Sequence, residues 1–360
     1  MLEIKNITLN AGNFKSEKIN LHFDDSRCHA IVGPTGSGKT LLLETIIGLR
    51  ELESGNIIFN GSDISNLPVE KRGFSYVPQD LALFPHLTVE KNISYPLRFI
   101  KNNAGNSSMI HDLIDIMNIG NILKRPVANL SGGEKQRTAL ARAIASGSKY
   151  LFLDEPLSSL HESMKKDLRF LLKDIQKKFN LAIFIITHDL NEAFFLGDTI
   201  TVLIDGRVHQ SGEKDTVYKS PATVEAANFF GIKNIFTGKI KFISDKALSV
   251  SCTELEKNLS IQYNKKRRFS VSESAVFGIR PEEVMILRPG PVKSRGANVL
   301  NGTITEIFER GSFITVIFEE EKTGTIVEIE LMIYAFIKLS IRKGKKVRIV
   351  FREESIFICD

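Results

Sequence analysis

Apolar positions follow two rhythms along the 360 residues. Up to about residue 234, short continuous apolar runs alternate with segments of helical period. The runs 30–32, 150–153 and 182–187 are rich in β-branched and aromatic residues, the pattern of strands buried on both faces of a parallel sheet. Helical patterns separate them, over 40–49, 138–145 and 163–179. This alternation predicts an α/β domain over 1–234. Past residue 234 the helical period fades. Short alternating segments at 238–242, 247–250, 302–308 and 313–318, with turn residues between, predict an all-β domain over 235–360.

The second region carries a repeated phrase. Asn234-Ile235-Phe236-Thr237-Gly238-Lys239-Ile240 and Asn298-Val299-Leu300-Asn301-Gly302-Thr303-Ile304 both read N-[IV]-[FL]-x-G-x-I. Either the region is two related halves, 235–290 and 292–360 joined at Pro289-Gly290-Pro291, or short β segments coincide by chance.

Composition narrows the class. With 42% hydrophobic and 25% charged residues the chain is that of an ordinary folded protein. No apolar stretch is long enough to span a bilayer as a helix, and the first ten residues lack a signal core. Cys28, Cys252 and Cys359 lie far apart without metal-ligand spacing, as expected of buried, reduced thiols in a cytosolic compartment. The net charge of +6 is uneven: residues 1–234 carry 27 basic against 26 acidic side chains, residues 235–360 carry 21 against 16. Nucleic acid, an anionic membrane, a small anion or a merely solvated face each fit that excess.

Three stretches carry chemistry. Gly33-Pro34-Thr35-Gly36-Ser37-Gly38-Lys39-Thr40 fits the P-loop pattern after a strand and before a helix. Its glycines let backbone N–H groups converge on phosphate, Lys39 reaches the β- and γ-phosphates, and Thr40 ligates Mg²⁺. Asp154 and Glu155 close the apolar run 150–153. There Asp154 can hold the metal and Glu155 can polarise an attacking water. Ser131-Gly132-Gly133-Glu134 precedes the helical pattern at 138–145, a second anion-ready helix N-terminus. One nucleotide does not need two such sites in one chain; two chains packed head to tail would use both.

Together GPTGSGKT, LSGGEKQR and LFLDEP resemble the motifs of ABC transporter nucleotide-binding subunits. The resemblance implies a P-loop ABC domain over 1–234 with a helical subdomain at about 80–148, then an OB-like β-barrel regulatory domain. It implies ATP and Mg²⁺ as ligands, with Gln79 touching metal and water, His188 contacting the γ-phosphate and Phe14 stacking on adenine, an ordinary core role for Phe14 being the alternative. Thr40, Gln79 and Asp154 become the metal set; Ser131, Gly132, Gly133 and Glu134 bind the nucleotide of the partner subunit. The implied assembly is a homodimer on two integral-membrane permease subunits, at the cytoplasmic face of the membrane. An extracytoplasmic substrate-binding protein would deliver cargo, and no nucleic acid is involved. One departure stands out: Ser158-Ser159-Leu160-His161 has His161 where the family usually has aspartate.

Cargo is less directly written. The segment 79–95 is similar to importer ATPases of the molybdate, sulfate, polyamine, iron and sugar group. Phe84-Pro85-His86-Leu87-Thr88 lies where such subunits receive the channel, or it is an ordinary packed turn. Ser294-Arg295-Gly296-Ala297-Asn298-Val299-Leu300-Asn301-Gly302 resembles the Ser-Ala-Arg-Asn-x-[LF]-x-Gly stretch of molybdate- and tungstate-binding domains, with Arg295 and Ala297 exchanged around Gly296. It marks Ser294, Arg295, Ala297 and Asn298 as a tentative site for a regulatory oxyanion. Molybdate or tungstate is thus the expected cargo. The alternatives are sulfate, ferric iron, polyamine or sugar, and, in another class, a soluble ABC ATPase acting on ribosomes or DNA.

Overall fold

The computed structural model describes residues 1–12, 14–99, 106–263, 268–288 and 298–359. The chain divides into two units, Met1–Lys214 and Asp215–Asp360.

The first unit runs β1 (Leu2–Thr8), β2 (Ile19–Phe23), β3 (Cys28–Val32), α1 (Lys39–Ile47), β4 (Ser54–Phe59), β5 (Ser75–Val77), α2 (Val89–Ile93), α3 (Asn106–Met117) and α4 (Gly132–Ile144). It continues through β6 (Tyr150–Asp154), α5 (Glu162–Phe179), β7 (Ala182–Thr187), α6 (Leu190–Leu196), β8 (Thr199–Ile204) and β9 (Arg207–Glu213). A six-stranded sheet has the order β9-β8-β3-β7-β6-β5, parallel except for β9. An antiparallel sheet holds β2-β1-β4. Leu42, Ile46, Phe152 and Phe184 belong to the core shared by α1 and both sheets, where Phe152 and Phe184 stack at 4.3 Å. β3 and β7 are buried at every residue, which is why 30–32 and 182–187 show no polar alternation. Their register pairs Val32 with Thr187, and Ile186 with Asp154. The parallel strands therefore end together, and the loops leaving them meet at one edge.

The helices α2, α3 and α4 fill the stretch between β5 and β6. α4 starts at Gly132, six residues before the expected 138. Two glycines lower helix propensity, but a capping box overrides them: Ser131 accepts from the Glu134 N–H and Glu134 accepts from the Ser131 N–H.

The second unit begins 20 residues before the expected boundary of 234. α7 (Lys214–Lys219) and α8 (Val224–Phe229) lead into it, and Ala227 and Ile232 bury against Phe357 and Cys359 near its far end. Its strands are β10 (Ile235–Ile243), β11 (Ala247–Cys252), β12 (Lys257–Gln262), β13 (Ser274–Ile279), β14 (Met285–Leu287), β15 (Asn298–Arg310), β16 (Phe313–Glu320), β17 (Ile326–Met332), β18 (Lys346–Phe351) and β19 (Ile356–Cys359). A short helix, α9 (Ile333–Lys338), precedes β18.

These strands form two five-stranded sheets, β12-β11-β10-β13-β19 and β14-β18-β15-β16-β17. The sheets match strand for strand, and the repeated N-[IV]-[FL]-x-G-x-I phrase opens the central strand of each. Each sheet receives its last strand from the other half of the unit: β19 pairs with β13, and β14 with β18. The two asparagines of the phrase clasp the halves reciprocally. Buried Asn234 donates to the Glu328 carbonyl and accepts from the Glu328 N–H, both at 2.8 Å. Buried Asn298 does the same with Ser260, both at 2.7 Å, and donates again to Phe351 at 3.0 Å. One apolar core, including Ile240, Val250, Phe277, Ile304, Phe318 and Phe351, runs between the sheets. Asn234→Ala strands two backbone groups of β17, and a loss of about 2 kcal/mol is expected in urea unfolding of the second unit.

Candidate active site

β3 ends at Val32, and the chain turns through Gly33-Pro34-Thr35-Gly36-Ser37-Gly38 into α1. Gly38 sits at φ 94°, and a Cβ there would lie 2.4 Å from the Phe14 ring; only glycine admits both the turn and the ring. α1 starts with no capping side chain and no acidic residue in its first turn. Its leading N–H groups are therefore left for a ligand at the positive end of the helix dipole. Inside the turn the Lys39 ammonium donates to the carbonyls of Gly33 (2.9 Å) and Pro34 (2.8 Å). Burial pulls the Lys39 pKa down, while the charges of Glu155 and Asp154 pull it back up. Ser37 Oγ is buried without a hydrogen-bond partner among the described residues. A buried cation, an orphan hydroxyl and uncapped N–H groups together fit the phosphates of ATP.

Asp154 ends β6, 3% exposed, and accepts from Thr40 Oγ1 at 3.2 Å. Burial raises its pKa against the Thr40 hydrogen bond, and the neighbouring carboxylates of Glu155 and Glu44 raise it further. A buried carboxylate strained in this way is relieved by a cation beside it. Its oxygen and the Thr40 hydroxyl are the hard donors that Mg²⁺ takes.

Glu155 follows with φ 44°. Its N–H donates to Ile186 O at 2.9 Å, and its own carbonyl accepts from the N–H and hydroxyl of Ser158. A left-handed glutamate costs about 1–2 kcal/mol. These bonds hold it off the strand line, with Oε1 3.0 Å from His188 Nδ1. Thr35, Gly36, Gly38, Lys39, Thr40, Phe14, Gln79, Glu155 and His188 line one cleft of about 520 Å³. Residues as far apart in the chain as Phe14 and His188 thus meet at the edge where the parallel strands end.

Ser131, Gly132, Gly133 and Glu134 do not line this cleft. They form the N-terminus of α4, where a Cβ on Gly133 would lie 2.3 Å from the terminal methyl of Met164. His161 starts α5 without capping it through its side chain. Phe84 packs on Tyr95 at 4.4 Å, whereas Pro85 and His86 are exposed. Ser294, Arg295 and Ala297 lie outside the described residues. Asn298 uses both amide hydrogens on Ser260 and Phe351, so its side chain fastens the fold and has no donor left for an oxyanion.

Motif reading passed over the support of His188. Thr187 donates to buried Glu192 at 2.7 Å and accepts from the Asp189 N–H at 3.0 Å, and Arg169 pairs with Asp189 at 3.1 Å. Burial pushes the Glu192 pKa up to about 7 against the Thr187 hydrogen bond. The D-x-x-E spacing of Asp189 and Glu192 at a helix start is the signal that points there.

The ABC transporter family model matches residues 16–158. A molybdate/tungstate import ATP-binding protein of Pyrococcus horikoshii is 33% identical over 99% of both chains. A sulfate/thiosulfate import ATP-binding protein of Bacillus cereus is 30% identical over 99% of this chain and 98% of that one. An Fe(3+) ions import ATP-binding protein of Photobacterium profundum is 33% identical over 80% of each. A dimeric ATP-binding cassette solved with ADP and phosphate aligns with a TM-score of 0.53 and 26% identity, covering 59% of this chain and 98% of that one. Family model, full-length relatives and cassette fold agree with the cleft: the chain belongs to the ATP-binding subunits of ABC transporters, in the group that serves import.

Proposed function

We propose that this subunit hydrolyses ATP to drive uptake of a tetrahedral oxyanion, molybdate or tungstate. The observation that carries the cargo is the extent of similarity. A relative named for molybdate and tungstate matches through the second unit to 99% of the chain, whereas the one named for iron covers 80%. The sulfate relative also spans 99%, at lower identity, so cargo within the oxyanion class is what the test must resolve.

The chemistry follows from the cleft. Phosphate oxygens would replace the Gly33 and Pro34 carbonyls around Lys39 and take the uncapped N–H groups of α1. Phe14 offers a ring for adenine. Mg²⁺, held by Thr40 and Asp154 with Gln79 beside them, would neutralise charge on the β- and γ-phosphates. Glu155 accepts the proton of the attacking water. His188, donating through Nδ1, holds that carboxylate and leaves Nε2 for the γ-phosphate. The Ser131 end of α4, absent from the cleft of its own chain, completes the cleft of a second copy; two copies would act on two permease subunits at the inner membrane face.

Uptake of labelled tungstate, molybdate and sulfate in cells carrying Lys39→Ala decides the cargo. Tungstate and molybdate uptake should fall to background and sulfate uptake should persist. The reverse pattern would overturn the assignment. The excess positive charge of 235–360 also supports an oxyanion sensor there. Calorimetry of the whole chain should then show tungstate binding more tightly than sulfate. Tungstate should inhibit transport about 5–150-fold, the range of a coupling of about 1–3 kcal/mol. No heat at millimolar tungstate would remove the sensor and leave the cargo assignment intact.

A further inference from the structure

After β5 the chain reverses through Leu81 and Ala82, both left-handed, at φ 65° and 41°. Neither residue favours that backbone unaided. Within the loop the Leu81 N–H donates to Pro78 O at 2.9 Å, and the Ala82 N–H to Asp80 Oδ1 at 3.1 Å. The carbonyls of Leu81 and Ala82 are both taken by the Arg142 guanidinium on α4, through Nη2 at 2.8 Å and Nη1 at 2.7 Å. Its Cζ also lies 5.3 Å from the Phe84 ring centroid. Phe84 in turn is fixed by fully buried Asn92, which accepts from its N–H and donates to its carbonyl. α4 is tied to the start of the same segment, since Ser75 Oγ on β5 donates to Ala143 O at 2.8 Å. Strand, loop and the last turns of α4 therefore form one hydrogen-bonded frame, and Gln79 sits inside it.

We propose that Arg142 is a positioning residue: its fork makes the loop after Gln79 part of the α4 body, so that Gln79 moves with the helix carrying Ser131 and Glu134 at its other end. A guanidinium presents its N–H groups in a rigid planar fork that fixes the direction of both bonds, whereas an ammonium is a compact charge on a flexible stem. Displacement of α4 at the nucleotide of a second copy is then delivered to Gln79 in its own cleft. The two clefts of a dimer become mechanically linked through a side chain that touches neither nucleotide. This inference rests on the reading that Gln79 serves hydrolysis, and the experiment separates the two.

Phosphate release and binding of a fluorescent ATP analogue are measured on the full chain carrying Gln79→Ala, Arg142→Gln, Arg142→Lys, and Gln79→Ala with Arg142→Gln. Arg142→Gln should lower kcat about 10–100-fold, as misplacement of a reacting group does, with KM for ATP changed less than about twofold. Amide exchange over 80–84 should rise at least about tenfold while α1 is unaffected. Arg142→Lys should behave alike, and it carries the test if the glutamine variant does not bind the analogue. The double variant should be no slower than the slower single one, because Arg142 acts through Gln79. Normal kcat in Arg142→Gln, full activity in Arg142→Lys, or effects that multiply in the double variant would each overturn the proposal. Normal turnover in Gln79→Ala would instead overturn the role of Gln79, and the proposal with it.

Discussion

Glu155→Gln is expected to bind ATP normally and to hydrolyse it about 10²–10⁴ times more slowly, the usual loss on removing a general base. The substitution keeps size and shape. The left-handed backbone is held by main-chain bonds to Ile186 and Ser158, which the side chain does not enter. The amide oxygen can still accept from His188 Nδ1. What disappears is the proton acceptor. Lys39, Thr40 and Asp154 are untouched, so ATP should accumulate in the cleft and trap the protein as a dimer. Single-turnover phosphate release, with gel filtration in ATP and Mg²⁺, reads both effects. Turnover near the normal rate would remove Glu155 from the chemistry and leave the binding assignment standing.

Ser131→Arg should abolish hydrolysis while leaving nucleotide binding in the same chain intact. The capping box is lost, which costs about 1 kcal/mol at the start of α4. The P-loop lies elsewhere in the unit and does not depend on it. A bulky cation at this helix end would occupy the space required by the γ-phosphate of a second copy. Lys39→Ala should fail for the opposite reason, lacking the phosphate ligand but keeping Ser131. Mixing the two inactive variants should restore hydrolysis, because a mixed dimer holds one cleft with both parts intact. Normal hydrolysis by each variant alone would refute the shared site.

What the chain discloses before its structure depends on how local the information is. β6 and β7 were legible because strands buried on both faces need no polar alternation. The cleft residues were legible because phosphate chemistry demands glycine, lysine and hydroxyl at fixed short spacing. α4 starts six residues before its apolar pattern does, since two glycines argue against a helix that the Ser131–Glu134 exchange secures. The contact boundary at Lys214 precedes the change of sequence pattern near residue 234 for a related reason. The segment around α8 has the look of the preceding α/β pattern, yet Ala227 and Ile232 bury against Phe357 and Cys359. Arg142 and Glu192 left little trace because each acts on a backbone loop or a hydroxyl, partners that any sequence supplies.

The exchanged strands of the second unit set an order of events in time. The first sheet has four strands by Ile279, but its edge is closed only by β19, about 77 residues later. A chain grown on the ribosome at roughly 5–20 residues per second therefore exposes β13 for several seconds with one side unpaired. The strands of the first unit all lie before Lys214, so they have emerged and can pair in that interval. Newborn chains should pass through a stage in which the nucleotide cleft is formed and the β unit is still open. During that stage an unpaired edge is a template for joining other chains. Slow synthesis of the last eighty residues, or removal of β19, should cost yield through aggregation before it costs ATP binding.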